Sequence, residues 1–141
     1  MSNKKIIFLT HLLLLSGYSY SQDTSRHQQV TVDSSIFQKV EFESEFPGGD
    51  AAWIRYLQNN LNANIPIKNK AKKGTYRVVI KFIVSKDGTI SNLTPETHFG
   101  YGMEEEVIRV IKEGPRWMPA MQNGRKVNAY RRQPVTFVVP D

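Results

Sequence analysis

Apolar and polar positions alternate along two stretches in the second half of the chain, and a period of two predicts strands with one buried face. The first stretch ends at Asp87-Gly88, a strong hairpin turn signal, so residues 89–97 are predicted to return as its partner strand. Ile90 and Leu93 lie three apart in that return strand, which predicts a β-bulge. A last strand is predicted over residues 127–139. The alternating apolar positions are Tyr76, Val78, Ile80, Phe82, Val84, Val135, Phe137 and Val139.

One segment between residues 51 and 61 has the spacing of an amphipathic helix. Trp53, Leu57 and Leu61 form its apolar stripe, and Ile54 widens that stripe. Asp50 precedes the segment and is the predicted N-cap, because an aspartate oxygen can accept a hydrogen bond from the first free N–H groups of a helix.

A second helix is predicted to begin near Met103 and to end at Gly114, a residue type common at helix C-termini. Glu104, Glu105 and Glu106 crowd its first turn. Consecutive residues spread around a helix rather than converging on one ion, and acidic groups favour the positive end of the helix dipole. These carboxylates are therefore predicted to point to solvent and not to form a catalytic or metal site.

Two helices, a hairpin and a later strand predict an α+β fold, in which a three-stranded antiparallel sheet is packed on one face by both helices. Pro134 lies inside the last strand, and a residue without an N–H is tolerated only at a sheet edge or a bulge. An exposed edge can bind an extended peptide by β-augmentation. The predicted partner-binding residues are Arg131, Arg132, Val135, Thr136, Phe137, Val138 and Val139.

The predicted side-chain directions divide the last five of these residues into two groups. Val135, Phe137 and Val139 are predicted to face the core, whereas Thr136 and Val138 face outward. The two arginines have two interpretations that the sequence leaves open: contact with a partner, or protection of the edge against aggregation.

The first 21 residues have the three-part pattern of a secretory signal peptide. Lys4 and Lys5 precede an apolar run over residues 6–16, and Ser19-Tyr20-Ser21 supplies the small residues for cleavage after Ser21. A helix over that run would span about 22 Å against a hydrocarbon core of roughly 30 Å, which favours cleavage and export to the periplasm over a retained membrane anchor.

The mature chain is predicted to start with a flexible polar leader over residues 22–39, followed by one domain over residues 40–141. Residues 40–46 alternate apolar and acidic side chains, which suits a short strand or an extended arm.

Composition and motifs argue against an enzyme. The chain has no cysteine, and its 19 basic and 13 acidic side chains give a modest net charge of +6, so we expect neither thiolate metal ligands nor nucleic-acid binding by an exported domain. His27 and His98 lack a second histidine at metal-ligand spacing. Gly100-Tyr101-Gly102 precedes a helix, but Glu105 replaces the third glycine of a dinucleotide-binding loop. No catalytic residue, metal or cofactor is predicted.

Six short motifs follow one another along the domain. They are Phe46-Pro47-Gly48-Gly49, Gly74, Val78-x-x-x-Phe82-x-Val84-x-x-Asp87-Gly88, Trp117-x-Pro119-Ala120, Asn123-Gly124 and Pro134-Val135-x-Phe137. In this order they resemble the TonB carboxy-terminal domain family over about residues 40–141. The resemblance implies the same two-helix, three-strand fold and a periplasmic role. It also implies that a terminal segment of an outer-membrane transporter adds as a strand beside the last strand, with energy supplied by inner-membrane motor proteins.

Two departures from the family's transducers limit what the resemblance implies. All seven prolines lie at or after Pro47, so no proline-rich spacer is expected, and cleavage after Ser21 would leave no anchor. We therefore expect peptide binding. Energy transduction is expected only if the chain keeps its first segment as a membrane anchor. The alternative function is an envelope assembly module that forms a homodimer through the edge of its last strand.

Overall fold

The computed structural model describes residues 35–141, so the predicted signal peptide and most of the predicted leader lie outside the described residues. Two helices of three turns and one short helix accompany five strands. In chain order these are β1 (Ile36–Phe37), α1 (Gly49–Asn60), α2 (Ile65–Lys68), β2 (Gly74–Val84), β3 (Ile90–Pro95), α3 (Met103–Glu113), β4 (Ala120–Gln122) and β5 (Arg125–Val139). Within residues 35–141, no helix is both long and apolar enough to cross a bilayer.

The sheet has the order β1-β5-β2-β3, with β4 paired to β5. Its centre is the predicted antiparallel trio β5-β2-β3, which confirms the α+β fold. The structure adds two short strands: β4 forms a hairpin with the start of β5, and β1 pairs in parallel with Asn128 and Ala129. Because β1 consists of Ile36 and Phe37, regular structure begins inside the segment predicted as leader.

The core lies between one face of the sheet and the helices. Val78, Ile80 and Phe82 on β2 are fully buried, as the alternation predicted. An aromatic cluster closes the core at the hairpin end, where neighbouring ring centroids lie 5.1 to 5.8 Å apart. It joins the arm, α1, β2 and the segment before β4. Its members are Phe46, Trp53, Phe82 and Trp117.

The β2–β3 hairpin contains the predicted turn and the predicted bulge. Lys81 pairs with Thr94 and Ile83 pairs with Ser91, so β3 carries one more residue than β2 between the two pairs. Asn92 in the bulge has φ 51, a left-handed conformation that asparagine tolerates well.

The helix ends differ from prediction in two places. A turn in which Gly49 N–H donates to Phe46 O (2.8 Å) starts α1 directly after Gly48 (φ 86), so Asp50 lies in the first turn and makes no cap bond. The N-cap prediction for Asp50 was wrong because the proline-glycine turn sets the start earlier. The short helix α2, with Pro66 in its first turn, was missed and replaces part of a predicted loop.

Candidate functional site

One edge of β5 lacks a strand neighbour over most of its length. From Ala129 to Val139, β5 pairs residue by residue with β2 on one side. On the other side, β1 reaches only Asn128 and Ala129. We call the unpaired side of residues 131–139 the free edge, since no strand within residues 35–141 pairs with it.

The hydrogen bonds of Val79 show which backbone groups point to the free edge. Its carbonyl accepts from Glu96 N (2.9 Å) and its N–H donates to Thr97 Oγ1 (3.1 Å), so its backbone faces β3 and not β5. Both polar groups of a strand residue face the same side, so Val79 and Pro134 form a pair without hydrogen bonds between them. The ring nitrogen of Pro134 therefore faces outward, where no ladder bond is lost.

The same alternation shows to which side the backbone N–H and C=O groups of the other edge residues point. Arg132, Thr136 and Val138 have outward N–H groups, two residues apart from Pro134 or from each other. Val135, Phe137 and Val139 instead bond to β2 and bury their side chains in the core, as predicted for the side chains. Of the seven predicted partner-binding residues, three can therefore offer a backbone donor to an added strand.

Arg131 and Arg132 lie on opposite faces of the sheet and each has an acidic partner. Arg131 is largely buried, bonds Glu43 of the arm (2.6 Å) and lies 5.9 Å from the ring centroid of Trp117. Arg132 is half-exposed, and its Nε contacts both carboxylate oxygens of Glu96 at 3.0 and 2.9 Å. Both pairs tie β5 to neighbouring segments, and Arg132 keeps enough exposure to meet a partner as well.

A groove of about 290 Å³ runs between α1 and β5, beside the free edge. Ile54 on its wall is 54% exposed, so the prediction that Ile54 widens the buried stripe of α1 was wrong. The helix is turned so that Trp53 enters the core while Ile54 faces the space next to β5. The lining residues are Ile54, Leu57, Gln58, Leu61, Ala63, Val135 and Thr136.

Two of the three carboxylates at the start of α3 are buried, which overturns the prediction that all three point to solvent. Glu104 accepts from the N–H groups of Phe99 (2.8 Å) and Gly100 (3.1 Å). One donor of the Gly100-Tyr101-Gly102 loop, the N–H of Gly100, is thus occupied by a side chain of the protein itself. Glu105 is exposed, as predicted.

Glu106 joins α3 to the segment that follows α1. Its Oε1 accepts from Asn62 N (2.7 Å), and both oxygens accept from Arg109 at 2.7 and 2.9 Å. The hydrogen bonds from Arg109 hold the pKa of Glu106 below its ordinary value, against the opposing effect of burial. Sequence reasoning missed this role because Asn62 lies 44 positions from Glu106 in the chain.

The described residues contain no cluster of three or more histidine, aspartate or glutamate side chains that could hold a metal ion. His98 is exposed in the loop before α3.

Comparison with known families gives one match. The family model described as Gram-negative bacterial TonB protein C-terminal matches residues 66–139. The match runs from α2 to the end of β5 and leaves out α1 and the arm, so it is shorter than the resemblance predicted over residues 40–141. No curated protein and no solved structure matches the chain.

Proposed function

Because the chain belongs to the family of Gram-negative bacterial TonB protein C-terminal domains, we propose that it is a periplasmic domain that binds an extended peptide segment of an outer-membrane transporter. This is a family of protein-interaction domains whose members contact outer-membrane transporters in energy-dependent transport. The proposed peptide adds as a strand on the free edge, with no chemistry performed on it.

The single observation that carries the proposal is that, among the strands of residues 35–141, β5 has a neighbour on one side only along residues 131–139. Outward N–H groups at Arg132, Thr136 and Val138 supply donors for an added strand, and each backbone hydrogen bond contributes about 1 kcal/mol. Backbone pairing of this kind gives affinity with little regard to the sequence of the partner.

The groove beside the edge supplies the selective part of the proposal. Every second side chain of an added strand points to the helix side of the sheet. There it would meet Ile54 and Leu57, whose apolar atoms border the groove. Paired residues of neighbouring strands point to the same face, so we expect the bound segment to carry an apolar side chain at the position paired with Val135.

Proline substitutions at the outward donors test the proposal. Thr136→Pro and Val138→Pro each remove one outward N–H and leave the ladder to β2 intact, so the double variant should bind at least about tenfold more weakly. The matched controls Thr136→Val and Val138→Thr keep the N–H and should bind within about twofold. A transporter is first recovered from envelope extract on the immobilised protein. Calorimetric titration with its terminal peptide then measures the affinity of each variant.

Two outcomes would contradict the proposal. Unchanged affinity in the folded proline variants would exclude the edge as the binding surface. The second outcome is that the free protein sediments as a tight dimer and that the same proline substitutions dissociate it. This would show that a second copy occupies the edge, which is the assembly function predicted as the alternative.

A further inference from the structure

Two loops meet at the end of the sheet where β5 finishes. The loop after α2 and the loop before α3 are joined by a hydrogen bond from Asn69 Nδ2 to Tyr101 O (2.8 Å). Tyr76 lies between them: its hydroxyl donates to Lys72 O (2.7 Å), and its ring packs edge-on against Phe99 at 5.4 Å between centroids. The two loops therefore form one continuous surface.

Large apolar side chains are exposed on that surface and on the adjoining helix α2. Phe99 and Tyr101 of the loop before α3 are 42% and 39% exposed, and Ile67 of α2 is 45% exposed. Tyr101 has φ 56, a conformation that costs a non-glycine residue about 1 kcal/mol or more, and Glu104 fixes the same loop through the N–H groups of Phe99 and Gly100. The loop before α3 therefore combines a strained backbone with two exposed aromatic side chains.

The charge of this surface is positive and uncompensated. Lys68, Lys70 and Lys72 are exposed, and none of them forms an ion pair within residues 35–141. Lys73 is paired with Asp141 at the end of the chain. The exposed acids of α3, Glu105 and Glu113, line a different groove together with Arg109 and Lys112.

We propose that this basic and aromatic end, comprising Ile67, Lys68, Lys70, Lys72, Phe99 and Tyr101, docks on a bilayer surface that contains anionic phospholipids. Aromatic rings favour the depth of the lipid headgroups, and lysines can bury their apolar stems while the ammonium groups meet phosphate. A soluble acidic partner would use the charge but would leave the three apolar side chains in water. The inference is independent of the free edge, which has its own test.

Vesicle sedimentation with the full chain tests the proposal. One variant replaces the three lysines by Lys68→Gln, Lys70→Gln and Lys72→Gln. Each basic residue near an anionic surface contributes about fivefold, so the partition coefficient on vesicles of phosphatidylglycerol and phosphatidylethanolamine should fall on the order of a hundredfold. The matched control removes the same charge from other exposed positions through Lys39→Gln, Lys86→Gln and Lys126→Gln, and should change it by less than about threefold.

A second variant distinguishes binding to a bilayer from binding to any other anionic partner. Phe99→Ala should weaken vesicle binding at high salt, where charge is screened and the apolar contribution remains. Equal loss in the lysine variant and in its control, or equal binding to vesicles without anionic lipid, would overturn the proposal. Binding to soluble polyglutamate as tightly as to vesicles, with no effect of Phe99→Ala, would also overturn it and would indicate an acidic macromolecule.

Discussion

Gly88 lies directly against the backbone of the segment before β4. It has φ 84, and Trp117 N–H donates to its carbonyl at 3.0 Å. A Cβ at this position would lie 2.3 Å from Trp117 O, closer than non-bonded atoms can approach. The sequence predicted Gly88 as a turn residue, but it could not predict this approach, because the contacting carbonyl is far along the chain.

Substituting Gly88 by alanine should therefore destabilise the fold by at least about 3 kcal/mol, because the hairpin must move away from the backbone of Trp117. Gly124→Ala is the matched control: its φ is 69, but nothing lies within 4 Å of a Cβ there, so only the cost of about 1 kcal/mol for the conformation applies. Urea unfolding measures both variants. Equal losses of unfolding free energy in the two variants would show that the close approach to Trp117 does not affect stability.

Glu106 is the second residue whose role depends on distant partners. Its carboxylate stays ionised because Arg109 and the N–H of Asn62 bond to it. Since its pKa in the folded state lies below the value of the unfolded chain, its contribution to stability is complete above the unfolded pKa. That contribution is lost as the pH falls through the folded pKa.

Glu106→Gln should lower the free energy of unfolding by about 2 kcal/mol at pH 7, because a neutral amide replaces the acceptor of Arg109. The difference between the two proteins should shrink as the pH is lowered below 4.5, the ordinary pKa of a glutamate carboxyl, and through the lowered pKa of Glu106 in the folded protein. The exposed neighbour Glu105 provides the control: Glu105→Gln should change stability by less than about 0.5 kcal/mol. A difference that stays constant across this pH range would contradict the role assigned to the carboxylate.

At the scale of elements, the three central strands were predictable, whereas β1, β4 and the orientation of α1 were not. Alternation along β2 and β5 reflects burial of one face of each strand, so the residues of the strand itself are enough to predict it. Pro134 indicated the edge because its missing N–H follows from the residue type alone. The exposure of Ile54 depends on the space beside β5, and the environment of Glu106 depends on the segment after α1, 44 positions earlier. Glu104 differs, because both of its hydrogen-bond partners lie within five positions.

Ile54 gives a test of the groove. Because it is exposed in the free protein, Ile54→Ala should change stability by less than about 0.5 kcal/mol. It should weaken peptide binding about fivefold to tenfold if an apolar side chain of the partner packs on it. Ile67→Ala, an exposed isoleucine on a different helix, should leave peptide affinity unchanged in the same titration. Equal affinities for all three proteins would exclude the groove from the binding surface.

At the scale of the whole molecule, the matched family segment does not complete the core. Residues 66–139 contain Phe82 and Trp117, but Phe46 and Trp53 of the same aromatic cluster precede them. The arm and α1 also supply Glu43, which pairs with Arg131, and the wall of the groove. The part of the domain outside the family match therefore both supports β5 and shapes the surface beside its edge.

Pro134 has a consequence for how selective such an edge can be. A strand edge at which every outward N–H group is present would bind any extended chain, including unfolded proteins in the same compartment. Pro134 interrupts the series of outward N–H groups, so that Thr136 and Val138 lie on one side of it and Arg132 lies on the other. The outward carbonyls of Arg132, Thr136 and Val138 remain as acceptors, so the proline removes one hydrogen bond, worth about 1 kcal/mol, from any strand added here. For the proposed peptide, we therefore expect side-chain contacts in the groove to contribute more to the choice of ligand than they would beside an uninterrupted edge.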